Sequence, residues 1–153
     1  MLRSILIAAT AGARALTPLA AVANAARARQ LPADSGIPPL LANPLIATGI
    51  LAIAGGEMAG DKMKSAPDRI IAPGLVGRTL TGAVAAMAFA PKDRRVTAAA
   101  LGAATAIVSS FVTFRARQWA MRRWGQTATG AVEDAIVLGI ATLAVRAPLP
   151  AAR

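Results

Sequence analysis

Apolar stretches long enough to cross a bilayer follow one another along this chain, and most of its charge is confined to the breaks between them. Five such stretches cover residues 1–26, 40–60, 74–90, 96–114 and 129–145. A helix needs about 20 mostly apolar residues to cross a hydrocarbon core of ~30 Å, so the pattern predicts an all-α integral membrane helical bundle of about five spanning helices. Residues 1–153 read as a single transmembrane domain, with half one at 1–62, half two at 73–148 and a polar connection at 63–72. A composition that is 56% hydrophobic and only 16% charged, with mean hydropathy +0.54, lies outside the range of soluble domains and agrees with that class.

A formal charge of +10 would point to nucleic acid in a soluble domain. Here the basic residues sit at the ends of apolar stretches with almost no aromatics among them. Anionic membrane lipids are therefore the expected partner, and nucleic acid is not. The chain has neither Cys nor His, which removes disulfides, Cys/His metal sites and the Ser-His and Cys-His nucleophile pairs. No metal, cofactor or catalytic centre is expected.

The first stretch carries Arg14 in its middle and Pro18 a turn later. Pro18 has no N–H, so the carbonyl of Arg14 loses its helical partner, and a bend or break is expected beside that charge. Ala23-Asn24-Ala25 resembles a signal-peptidase site, but cleavage needs a clean apolar core and Arg14 interrupts it, so a first spanning helix is preferred. The second stretch ends in Glu57 and Asp61, four residues apart and so on one helix face. Lys62, Asp68 and Arg69 mark the polar connection, with Pro67 and Pro73 as breakers. The third stretch has Arg78 one turn inside it and small residues at Gly74, Gly82, Ala86 and Ala90. The fourth repeats that spacing at Ala98, Gly102, Ala106 and Ser110, which predicts close helix packing and self-association. Arg115, Arg117, Trp119, Arg122, Arg123 and Trp124 follow as an interfacial lipid-contact segment, Trp at headgroup level and Arg snorkelling outward. The fifth stretch opens on Glu133 and Asp134, whose partners must come from elsewhere in the fold.

An arginine facing lipid at depth costs at least about 2.5 kcal/mol. Arg14 and Arg78 should therefore face the bundle interior, within a charge network of Arg14, Glu57, Asp61, Arg78, Glu133 and Asp134. The expected pairs are Arg14 with Glu133 and Arg78 with Glu57. Setting Arg14-Ala15-Leu16-Thr17-Pro18 against Arg78-Thr79-Leu80-Thr81-Gly82 matches Arg, Leu and Thr ahead of a helix breaker, which suggests the internal duplication common in transporters. Five spans divide the loop Lys and Arg residues eight against seven, too even a split to set orientation.

GARALTPLA near the start, GEMAGDKMKSAPDR in the centre followed by Gly77-Arg78, and AVEDAIVLGIA near the end resemble the bacterial membrane-protein family known as domain of unknown function 4126. The likeness runs over essentially the full chain. Glu57, Asp61, Lys62, Pro67 and Arg69 fit that family's central pattern, while Met63-Lys64 stands where a proline is usual. The resemblance implies a small multi-pass protein of the bacterial inner membrane, and it implies no activity. The working expectation is a small transporter or channel-like protein for an anionic solute or protons that uses intramembrane Arg/Glu pairs. The alternative is a structural or assembly protein with static buried ion pairs. A lipid-phosphate enzyme with a divalent ion on Glu57 and Asp61 is disfavoured, because Lys62 and other basic residues neutralise so small an acid cluster.

Overall fold

Helix α1 (Leu2–Ala13) stops at Arg14, which adopts an extended conformation, and α2 (Thr17–Arg27) begins three residues later with Pro18 in its first turn. The computed structural model describes residues 1–60 and 71–146. After α2 come α3 (Pro44–Gly60), α4 (Ala72–Met87), α5 (Arg95–Trp124) and α6 (Gln126–Arg146), with short 3-10 turns at Pro39–Ala42 and Lys92–Arg94. Helix dominates, and among the described residues the one β-type pairing is an isolated bridge between Ser35 and Pro91. The all-α expectation holds.

The break at Arg14 reverses the chain. Arg3, at the start of α1, donates to the carbonyls of Ala144 and Val145 near the end of α6, while Arg14 reaches Asp134 near the start of α6. Asn24, Ala25 and Gln30, at and beyond the end of α2, border a cavity together with Val145 and Arg146. Both outer ends of the α1/α2 pair therefore lie at one end of α6, and the two helices form an antiparallel hairpin. The expected first span is corrected by this finding. Residues 1–26 make two short helices and a reversal, because Pro18 suits the first turn of a new helix better than the interior of an old one. Ala23 and Ala25 are buried in that packing.

The remaining helices run alternately between two ends of the bundle. At the outer end of the hairpin, the Gly36 N–H donates to Met87 and Ala90 at the close of α4, and Arg3 lies 4.2 Å over the Phe89 ring. At the opposite end, α5 turns into α6 through Gly125, whose φ of 77° is a conformation few other residues adopt. Pro73 does not break a helix but sits in the first turn of α4. Lys62, Asp68, Arg69 and Asp61 lie outside the described residues.

Small residues bring α4 and α5 together. Ala98, Gly102, Ala106 and Ser110 are all buried. A methyl group on Gly102 would come 2.5 Å from the Ala86 Cβ and 2.6 Å from the Gly82 carbonyl oxygen, so the backbones touch. Gly82 serves that contact inside a continuous helix, and Arg78 lies in the same helix. The two Arg-x-Leu-Thr motifs thus occupy unlike structures, one at a reversal and one mid-helix.

Two helical stretches, Lys92–Trp124 and Gln126–Arg146, are long and apolar enough to cross a membrane. Apolar side chains face outward over much of the surface. Leu45 (84%), Val96 (74%) and Leu143 (69%) are among the most exposed, and α3 buries only Ala47 and Ala54.

Candidate functional site

Reversing a helix inside a protein leaves the last carbonyls of one helix and the first amides of the next without helical partners. At this tip the partners are charged side chains. The α1 carbonyl ends carry partial negative charge and the α2 amide ends partial positive charge. Arg78 of α4 donates through Nη1 to the Gly12 carbonyl at 2.5 Å and to that of Ala11 at 3.3 Å. Thr113 of α5 adds a hydroxyl bond to Gly12 at 3.0 Å. On the other side Glu57 of α3 accepts from two successive amides, Oε1 from Ala15 at 2.7 Å and Oε2 from Leu16 at 2.9 Å. The cation thus meets the negative helix end and the carboxylate meets the positive one.

Arg14 at the turn is fully buried. Its Nε donates to Asp134 Oδ1 at 2.6 Å, and its Nη2 lies 2.6 Å from the same oxygen and 3.7 Å from Glu133. Glu133 in turn accepts from Arg117 Nη1 at 2.6 Å. Arg78 Nη2 lies 3.9 Å from Glu57 Oε1, so this contact is looser than the one Arg78 makes to the α1 carbonyls. Arg14, Arg78 and Arg117 face Glu57, Glu133 and Asp134, three cations against three anions in one layer. Burying such a set requires this balance, since losing one member of a buried pair costs about 3–5 kcal/mol.

The sequence expectations meet this geometry unevenly. Arg14, Glu57, Arg78, Glu133 and Asp134 come together, but the closest acid to Arg14 is Asp134, and Glu133 is held mainly by Arg117. Arg117 is the main correction. Expected among the lipid-contacting residues, it is only 8% exposed and belongs to the network. Its signal was available, because it continues the buried face of α5 two turns beyond Ser110. Arg115, Arg122 and Arg123 are exposed, and Trp119 and Trp124 are exposed and pack edge to face at 5.4 Å. Thr113 and the Ala15 and Leu16 amides also escaped sequence reasoning, since neither backbone groups nor a lone threonine stand out in a helical pattern. Among the described residues no group of three acidic or other metal-ligating side chains comes together.

Two cavities flank the layer. The first, of about 400 Å3, lies between α2, α3 and α6 and runs from Thr17 to Gln30 and Arg146 at the outer end. Thr17 is buried, and among the described residues its hydroxyl has no hydrogen-bond partner. The second, of about 350 Å3, lies between α1, α5 and α6, is walled mainly by apolar side chains, and reaches Arg117 and Glu133. No family model, curated protein or solved structure matches the chain.

Proposed function

We propose that this chain is a small multi-pass membrane transport protein for an anionic solute or protons, with the charge layer at the hairpin tip as its solute-handling element. In this reading α3, α4, α5 and α6 cross the membrane and the α1/α2 hairpin enters it from one side and returns. The outward apolar surface of α3, α5 and α6 supports membrane burial, since soluble monomers rarely expose such continuous apolar area. From the outer end of α6 to Asp134 is about 12 residues, or ~18 Å of helix, which puts the tip near the middle of a ~30 Å core. Bacterial inner-membrane location and kinship with domain of unknown function 4126 belong to the same proposal.

The observation that carries it is the first cavity, which leads from the outer end of the bundle to a buried, unsatisfied threonine hydroxyl beside the reversal. Interrupted helices with polar groups at the membrane midplane are how many secondary transporters build solute sites. A second reading has its own support: the charges cap helix ends and neutralise one another, which a static scaffold also requires. Impermeant maleimide labelling of Gly55→Cys and Thr142→Cys separates the two, because both positions line the cavity. Leu143→Cys, on the outward face, serves as the lipid-facing control. Labelling at 55 and 142 with protection at 143 supports transport. Protection at all three leaves the scaffold.

A further inference from the structure

Glu57 occupies a site shaped for a carboxylate. Its two oxygens take two consecutive backbone amides at the start of α2, with the Arg78 guanidinium 3.9 Å away. Oriented amides at a helix start bind anions readily. The next residue, Thr17, is 3% exposed and has no partner for its hydroxyl among the described residues, although it faces the 400 Å3 cavity. A buried hydroxyl left unbonded is destabilising, so the cavity floor offers a hydrogen bond that the described residues leave unused.

Resting on the transport reading, we propose that a small organic carboxylate enters this cavity and takes the place of the Glu57 carboxylate on the Ala15 and Leu16 amides, with its body against Thr17. Gly55 and Met58 on either side of Glu57 already wall the cavity, as do Ala20, Ala54 and Ala141. Those small apolar walls suit a short carbon body. Arg146, the one charged side chain of the lining, stands at the mouth and attracts anions.

Exchange requires Glu57 to leave, and two carboxylates do not share one pair of amides. Glu57 leaves most readily when it takes up a proton, so one proton is bound at Glu57 for each anion bound at the amides and the tip keeps its net charge. Among the described residues, Arg78 of α4 is the charged group beside Glu57. Arg14, across the turn, is engaged by Asp134 and Glu133 of α6. Carboxylate and proton therefore bind together, and Glu57 couples them.

The test uses Gly55→Cys in the full-length protein, a position where an added Cβ meets nothing within 4 Å. Sodium lactate protects this cysteine from maleimide, with sodium chloride at equal ionic strength as the control. Adding Glu57→Gln, which removes the competing charge, lowers the lactate concentration for half protection at least ~10-fold, the change that about 1.4 kcal/mol produces, and abolishes its pH dependence. With Glu57 intact, acidification lowers that concentration, and this arm stands even if the Gln variant misfolds. Thr17→Val raises it several-fold. Lactate protection unchanged by Glu57→Gln and by pH, or equal protection by chloride, overturns the inference while leaving transport intact. Failure of the cysteine to label overturns both.

Discussion

Gly12→Ala is the sharpest test of the packing at the tip. Gly12 is the next-to-last residue of α1 and lies directly against α5, so that a methyl group there would sit 2.5 Å from the Ser110 nitrogen and within contact distance of the Ser109 backbone. Carbon atoms pack at about 3.5–4.0 Å, so α1 and α5 must part by roughly 1 Å. Backbone atoms cannot rotate away. Overpacking of this kind costs about 1–3 kcal/mol. The same shift pulls the Gly12 carbonyl from Arg78 and Thr113, and a hydrogen bond to a charged group contributes about 1.5–3 kcal/mol. Alanine returns up to ~1 kcal/mol of helix propensity. The net expected loss is about 1.5–5 kcal/mol. Gly77→Ala is the matched control, one residue from Arg78 in α4 with nothing within 4 Å of the new methyl, and it should gain up to ~1 kcal/mol. Equilibrium unfolding of both variants in detergent, against the parent protein, reads the difference. Gly12→Ala as stable as Gly77→Ala would refute the close contact of the hairpin tip with α5.

Arg117→Ala should cost about 3–5 kcal/mol because it removes the closest partner of Glu133 and leaves only the 3.7 Å contact with Arg14 among the ion pairs described, whereas Arg122→Ala and Arg123→Ala should stay within ~0.5 kcal/mol; chemical unfolding of the three variants checks the separation. The double change of Arg117→Gln with Glu133→Gln removes both charges at once and should recover most of that loss, which a double-mutant cycle measures. Pro18→Ala should leave the reversal in place, since Glu57 also holds the α2 start, and should cost about 1–2 kcal/mol for the two buried ring carbons it removes. Glu57→Ala should cost ~2 kcal/mol by leaving two half-buried amides unpaired. Their unfolding midpoints measure the two costs.

Much of the tip was legible in the sequence because burial of charge is expensive. Arg14 and Arg78 inside apolar stretches had to find acids, and Glu57, Asp61, Glu133 and Asp134 were the candidates in reach, of which Asp61 lies outside the described residues. The face Ala98, Gly102, Ala106 and Ser110 was legible because a four-residue spacing of small side chains places them on one side of a helix. The direction of the chain after Arg14 was not legible. Pro18 signals a break, but a break is compatible with a kink, a straight continuation or a reversal, and the choice falls to contacts far apart in sequence, such as Arg3 with Ala144. Arg117 was misplaced for a related reason. Its neighbours Arg115, Trp119, Arg122 and Arg123 form an interfacial pattern, and local composition outweighed the helical phase that turns this one side chain inward.

The hairpin itself is open to direct measurement, since a chain without native cysteine takes spin labels at chosen positions. Labels at Leu2 and Arg27, both exposed, report on the two outer ends of α1 and α2. Packed antiparallel helices place these ends within about two helix diameters, ~20 Å or less. A single continuous helix over the same 25 residues would separate them by about 38 Å at 1.5 Å per residue. A pulsed electron paramagnetic resonance distance in lipid near the shorter value is expected, and one near the longer value would remove the reversal and with it the buried site at its tip.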